Sequence, residues 1–237
     1  MPVYASREDL KNRPASEKWV DIDDVEFFAL GNADRVAEGE EPRSSDYPDP
    51  VTDPEGSLHD AHNIAYARHV VPTTPKERLV VLNGEAVFES ENGRVTLRKM
   101  QWVDVPASGG VIRNNLSGGP EGLRGVVEVV RIAGHWKQAI RTAIFNFGPS
   151  RPCDYHYHDS DEYWFVFRGH FNLLYQGEEV PFRPGMILAA GMGEEHGVVR
   201  PDEVFEGVGF ATQLEGEGRD GHLWRGVHGD PVPTRSR

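Results

Sequence analysis

Residues 155–169 read YHYHDSDEYWFVFRG. His156 and His158 stand one residue apart, Glu162 follows after three more residues, and Gly169 closes the stretch. In a β-strand side chains alternate faces, so both imidazoles project from one side with Cα atoms about 6.5–7 Å apart. Two rings at that spacing can reach one ion at bonds of about 2.0–2.2 Å. On a helix, positions i and i+2 point nearly opposite ways and cannot chelate together. Glu162 shares the histidines' parity, although DSD turns the chain between them, and Tyr155 and Tyr157 take the other face. Gly169 falls where a tight bend is needed.

A fourth donor is expected from GMILAAGMGEEHGV, residues 185–198. A strand from Met186, ending in a Gly-rich turn, would return His196 to the interior. Three imidazoles and one carboxylate suit a single divalent transition metal ion: Fe(II) or Mn first, with Ni, Co, Cu and Zn also compatible. Neutral histidines leave such an ion with about one net positive charge, a local anion site. The competing reading is interior polar packing, in which each group finds its hydrogen-bond partner inside the protein.

Around this stretch the chain is built of short segments. From about residue 60, runs such as RLVVLNG, EAVFES, GVVEVVRIAG, EYWFVFRG and HFNLLYQG alternate with Gly, Asn, Asp and Pro. Many short strands at regular spacing predict an antiparallel sandwich or barrel. No segment there carries a helical period over three turns. Upstream, SREDLKNR predicts a short helix with Ser6 as N-cap. WVDIDDVEFFAL reads as a strand, and GNADRVAEGEEPRSSDYPDPVTDPEG as a long surface loop or arm.

The motifs resemble those of the cupin superfamily. The first cupin motif, HxH, three or four residues, Glu, six residues, Gly, is matched by His156, His158, Glu162 and Gly169. The second, Gly, five residues, Pro-x-Gly, two residues, His, is matched by Gly185, Gly191-Met192-Gly193 and His196. Two departures are a glycine at 191 in place of proline, and Ser150 at the usual leading glycine of the first motif. The first half repeats the pattern without its chemistry: Glu77 and Gly84 keep their interval, while the HxH positions fall on Val71 and Thr73. Counting onward places Met100 at the leading glycine, Pro106 at the proline, Val111 at the histidine and Asn115 at the motif's end. The resemblance implies an all-β bicupin, two tandem double-stranded β-helix (jelly-roll) barrels. The expected parts are an N-terminal arm and loop at 1–55, a metal-free barrel at 56–130, and a metal-binding barrel at 131–237. It also implies His156, His158, Glu162 and His196 as the metal ligands.

Composition narrows the partners. Lys and Arg number 25 against 38 Asp and Glu, for a formal net charge of −13. That balance opposes attraction to nucleic acid or an anionic membrane and favours solubility. No apolar run approaches the roughly 18 residues of a membrane-spanning helix, and the first twenty residues lack the apolar centre of a secretory signal. Cys153 is the single cysteine, which excludes an intrachain disulfide and a Cys-rich zinc module. A cytoplasmic protein is expected, as a homodimer whose proline-rich arm and open sheet edges need cover.

Other residues carry weaker expectations. Arg141, charged in the apolar QAIRTAIFNF, either snorkels outward or faces a cavity where it would bind a substrate carboxylate or phosphate. Trp164 shares Glu162's parity and is expected as an apolar pocket wall or as ordinary core. HDAH at 59–62, with His69, matches no closed ligand pattern. Cys153 reads as a buried thiol more readily than a reactive one. Glu194 and Glu195 flank His196 as bases or as exposed loop carboxylates. GHLWRGVHGDP, with His222, Trp224 and His228, reads as a tail packed on the barrel or on a second subunit.

Four protein ligands on a six-coordinate ion leave two adjacent positions for a small oxygen-rich substrate such as an enediol, hydroxyketone or hydroxy acid. A redox-active ion then allows an oxidoreductase of dioxygenase type, the first expectation. Any Lewis-acid ion allows a non-oxidative isomerase or lyase acting on a sugar or hydroxy acid. A non-catalytic sensor or storage protein is the third reading, and no DNA-binding or transmembrane partner domain marks it.

Overall fold

The computed structural model describes residues 3–14, 20–31, 67–115, 127–214 and 218–232. It opens with β1 (Val3–Tyr4) and α1 (Arg7–Lys11). Ser6 caps α1 as expected, its side chain accepting from the Asp9 N–H. The chain then divides into two compact units, Ile22–His135, and Met1–Asp21 with Trp136–Arg237.

The first unit is built from β2 (Ile22–Leu30), β3 (Ala67–Val70), β4 (Lys76–Asn83), β5 (Glu85–Ser90), β6 (Gly93–Arg98), β7 (Trp102–Asp104), β8 (Gly110–Asn114) and β9 (Val127–Gly134). The second contains β10 (Ala139–Phe147), β11 (Cys153–His156), β12 (Asp161–Arg168), β13 (Phe171–Tyr175), β14 (Glu178–Phe182), β15 (Ile187–Ala190), β16 (His196–Val198), β17 (Phe205–Thr212) and α2 (Arg225–His228). The sheets of the first unit run β2-β9-β4-β7 and β3-β8-β5-β6; those of the second run β10-β17-β12-β15, extended at its edge by β1, and β11-β16-β13-β14. Counted within its own unit, each eight-strand set has the same order: first, eighth, third, sixth in one sheet and second, seventh, fourth, fifth in the other. That is the connectivity of a jelly roll, and every pairing is antiparallel. The protein is all-β, as the spacing of its short apolar runs predicts. No helix among the described residues is long and apolar enough to cross a membrane.

Each unit closes on its own apolar core. In the second, Trp164, Val166, Leu188 and Phe205 of one sheet meet Phe171, Leu173, Phe182 and Val198 of the other. In the first, Leu79, Val81 and Val129 meet Ala86, Phe88 and Ile112. At roughly 25 cal/mol per Å² of apolar surface, burying such side chains is the main favourable term of each unit.

The unit limits differ from the expected breaks at 55/56 and 130/131. WVDIDDVEFFAL does form a strand, but β2 pairs along its length with β9 and buries Ile22, Val25 and Leu30. It is therefore a wall of the first unit, because an apolar strand is stabilised by the sheet it joins, whatever polar sequence follows it. Residues 3–14 go with the second unit, where Val3 and Tyr4 pair with Leu188 and Ile187. The polar stretch 32–66 lies outside the described residues.

Counting between the halves holds for most positions and slips at two. Gly84 and Gly169 take φ of 81° and 77°, and Met100 and Gly185 take 72° and 87°. Met100 thus adopts a left-handed conformation that costs a non-glycine residue about 1 kcal/mol or more. Val111, however, faces away from the core, paired with the exposed His69. The inward pair is Val70 and Gly110, the counterpart of the paired His156 and His196. Val70 is 3% exposed and Val71 71%, so the first histidine's place is held by Val70. Gly110 follows Met100 by ten positions where His196 follows Gly185 by eleven, and Val70 precedes Glu77 by seven where His156 precedes Glu162 by six, so the connection on each side of the pair differs by one residue.

Candidate metal centre

β11 and β16 lie side by side with His156 opposite His196. Glu162 enters near the start of β12, between Ala190 and Ala211. The four side chains are buried, 1%, 6%, 5% and 1% exposed for His156, His158, Glu162 and His196. One ligand atom from each lies within 4.8 Å of all the others.

Hydrogen bonds decide which ring atom faces the centre. Nδ1 of His156 donates to the Asp154 carbonyl at 2.7 Å, Nδ1 of His158 to the Gly221 carbonyl at 2.7 Å, and Nδ1 of His196 to the Glu194 carbonyl at 2.9 Å. A carbonyl oxygen only accepts, so each neutral ring carries its proton on Nδ1 and turns the Nε2 lone pair inward. Nε2 of His156 and Nε2 of His158 are 3.0 Å apart, and Glu162 Oε2 lies 3.1 Å from His158 Nε2 and 2.9 Å from His196 Nε2. Acceptors packed this closely repel one another unless a proton or a cation lies between them. These residues could hold a metal ion.

Electrostatics favour the ligating forms of His156 and Glu162. Burial, followed by repulsion from His196, His158 and His222, pushes His156 down to about 3, so it is neutral at physiological pH. Burial alone would raise Glu162, but its contacts with His158 and His196 outweigh that and hold it well below the usual carboxylate range. For His158, burial depresses the ring, yet the Glu162 charge and hydrogen bond leave it raised overall. A metal ion held there would compete with protons for His158, so its affinity would fall in acid.

The surroundings divide into a dry floor and a polar rim. Trp164 is buried in the core, its ring edge-on to His196 at 5.3 Å between centroids and 5.2 Å from Phe145. It backs a ligand from below. On β10, Arg141 is about a third exposed and places Nη1 3.5 Å from Glu162 Oε1 and Nη2 3.7 Å from Asp220 Oδ1. Both contacts are long, so most of the guanidinium's hydrogen-bonding capacity remains beside the carboxylate.

The segment after β17 contributes more than its sequence suggests. It supplies the Gly221 carbonyl to His158 and lays the His222 ring parallel on His156, with centroids 3.6 Å apart and 2° between planes. His222 Nδ1 bonds Asp154 Oδ1 at 2.7 Å. The buried Asp159, next to His158, anchors the segment by accepting from Arg219 Nε at 2.7 Å and from the Val232 N–H at 2.9 Å. Tyr157, on the opposite face from the ligands, donates its hydroxyl to the Gly229 carbonyl at 2.6 Å. The tail packs on the barrel, one of the two expected arrangements, and also orients His156 and His158.

Other sequence candidates are placed apart from the centre or engaged elsewhere. Cys153 is buried, and burial followed by the Glu162 charge pushes its thiol above its ordinary value, which keeps it protonated and unreactive. Glu194 accepts from the Gly191 N–H at 2.6 Å and so braces the turn, while Glu195 pairs with Arg225 at 3.3 Å. His69 is exposed on β3 of the first unit. HDAH at 59–62 lies outside the described residues.

No family profile matches the chain. An uncharacterised protein of Sinorhizobium fredii, y4oW, is 28% identical over 176 residues, covering 68% of this chain and 78% of its own. Among solved structures, AerE from Microcystis aeruginosa overlaps with a TM-score of 0.46 at 12% identity, over 62% of this chain and 86% of its own. An oxalate decarboxylase from Bacillus subtilis overlaps with a TM-score of 0.47 at 8% identity, over 62% and 66%. A cupin 2 conserved barrel domain protein from Leptotrichia buccalis overlaps with a TM-score of 0.38 at 13% identity, over 62% and 78%. The two jelly rolls stand on their strand order, and the centre on the four donors that the second of them gathers.

Proposed function

We propose that the chain is a two-barrel cupin enzyme whose second barrel binds one divalent metal ion through His156, His158, Glu162 and His196. Fe(II) or Mn is the first choice, and the reaction is an oxidation of dioxygenase type on a small oxygen-rich substrate. The observation that carries this reading is the convergence of three Nε2 lone pairs and a carboxylate oxygen in one buried cluster. When bound, such an ion supplies a redox centre or a Lewis acid at neutral pH. The chain's own residues do the rest. Glu162 and the three rings hold the charge, Trp164 and Phe145 keep the floor dry, and Arg141 orients an anionic group at the rim. The test is oxygen uptake by the Fe(II)-loaded protein across a panel of enediols, hydroxyketones and hydroxy acids. Uptake should accompany product, and product formed at the same rate under nitrogen would reject the oxidative reading.

Arg141 marks the substrate as an anion in this scheme. A guanidinium hydrogen bond to a carboxylate is worth about 1.5–3 kcal/mol, so Arg141→Met is expected to raise KM roughly tenfold or more while kcat changes less. An unchanged KM would remove Arg141 from recognition.

One observation favours a non-oxidative isomerase or lyase as the second reading. His222, its Nδ1 held by Asp154 and its ring stacked on His156, is placed to accept or return a proton beside the centre. Under that reading turnover persists in the absence of oxygen and with a redox-silent ion.

A further inference from the structure

The first barrel keeps the carboxylate of the site and loses the imidazoles. Glu77 precedes Gly84 by seven residues, as Glu162 precedes Gly169, and it is buried. Two residues beyond each glutamate the sheet register gives a matched pair: Leu79 lies opposite Arg131 on β9, and Trp164 lies opposite Gly209 on β17. Arg131 and Gly209 therefore occupy the same place in the eighth strand of their respective barrels.

That place looks onto the carboxylate. A Cβ added at Gly209 would meet Phe145 Cδ1 at 3.6 Å, the Ala143 carbonyl at 3.8 Å and Glu162 Oε1 at 3.9 Å, all ordinary contacts. In the first barrel Arg131 extends from it and takes both oxygens of Glu77, Nε to Oε2 at 2.7 Å and Nη2 to Oε1. The remaining donors reach Asp24 Oδ2 at 3.2 Å and Thr73 Oγ1 at 3.1 Å. The side chains of Arg131 and Glu77 are 7% and 0% exposed. Gly110, at His196's place, leaves no space for a ligand either, since a Cβ there would sit 2.5 Å from the Phe88 ring.

We infer that Arg131 is the built-in cation of the first barrel: its guanidinium occupies the carboxylate that a metal ion takes in the second. This rests on the metal reading above for the second barrel, and on geometry alone for the first. The planar fork of Arg matches a carboxylate through two bonds, so it replaces a divalent ion in charge and direction without needing imidazoles. It follows that, among the described residues, the second barrel takes the metal ion and the first does not, and that the residue at position 209 selects between metal and guanidinium.

Two experiments test this. Elemental analysis of Gly209→Arg should find less than about a tenth of the parent's metal, while Gly209→Ala, whose Cβ fits, keeps it. Parent-level metal in a folded Gly209→Arg would overturn the inference. The second experiment does not depend on metal. Arg131→Met strands a buried carboxylate and should lower the thermal midpoint by roughly 10 °C, with more than half restored in Arg131→Met/Glu77→Gln. No restoration would overturn the role of Arg131 even if Gly209→Arg failed to fold. A parent protein without metal, combined with clear restoration, would reject the metal reading and leave the guanidinium pairing intact.

Discussion

Purified His156→Ala is expected to hold less than about a tenth of the metal bound by the parent protein, whereas His69→Ala and His59→Ala hold the full amount. Substitutions beyond the direct ligands of a metal site commonly cost about 10–100-fold in affinity, and loss of a direct donor costs more. His156 contributes one of four convergent atoms, and its Nε2 lies 3.0 Å from that of His158. Its removal also leaves the His222 ring without the face on which it stacks. His69 sits exposed in the other barrel, where Glu77 is already occupied by Arg131. Elemental analysis after dialysis against the free ion reads the result directly, and equal loss in His156→Ala and His69→Ala would refute the assignment of ligands.

The second large effect concerns the fold. Gly169 has φ of +77°, and a Cβ there would lie 2.5 Å from the Val204 carbonyl oxygen and 2.7 Å from Phe205 Cα. Gly169→Ala therefore combines about 1–2 kcal/mol of left-handed backbone strain with about 1–3 kcal/mol of overpacking against main chain that cannot rotate away. The expected loss is roughly 2–5 kcal/mol of unfolding free energy. Gly177 offers a matched control: its φ is +82°, but nothing lies within 4 Å of the added atom, so Gly177→Ala should lose only the strain. Urea denaturation of both variants measures the difference. Equal destabilisation would mean that the contact at Val204 and Phe205 contributes nothing.

Much of the buried His/Glu cluster is legible in the chain because its residues lie on short local patterns. HxH in a strand forces two imidazoles to one face, and the interval to Glu162 and the bend at Gly169 are set within fifteen residues. Those constraints are covalent and conformational, so they act before any long-range contact forms. The first half is less transparent. Its carboxylate, Glu77, is visible by counting, yet counting puts Val111 at a position that Gly110 holds. A one-residue change in a turn reverses every facing in the strand that follows, and counting alone cannot detect where it occurs.

The sequence by itself determined the all-β character, the repeated motif, the metal-type donors His156, His158, Glu162 and His196, and the acidic balance, since each depends on residue type and local spacing. Tertiary structure alone decided the partners across long separations: Arg131 on Glu77, His222 on His156, the Gly221 carbonyl on His158, and Asp159 with Arg219. The physical reason is that hydrogen bonds and ring stacking act over about 3–4 Å in space, and sheet register, which no local pattern encodes, sets which residues come that close.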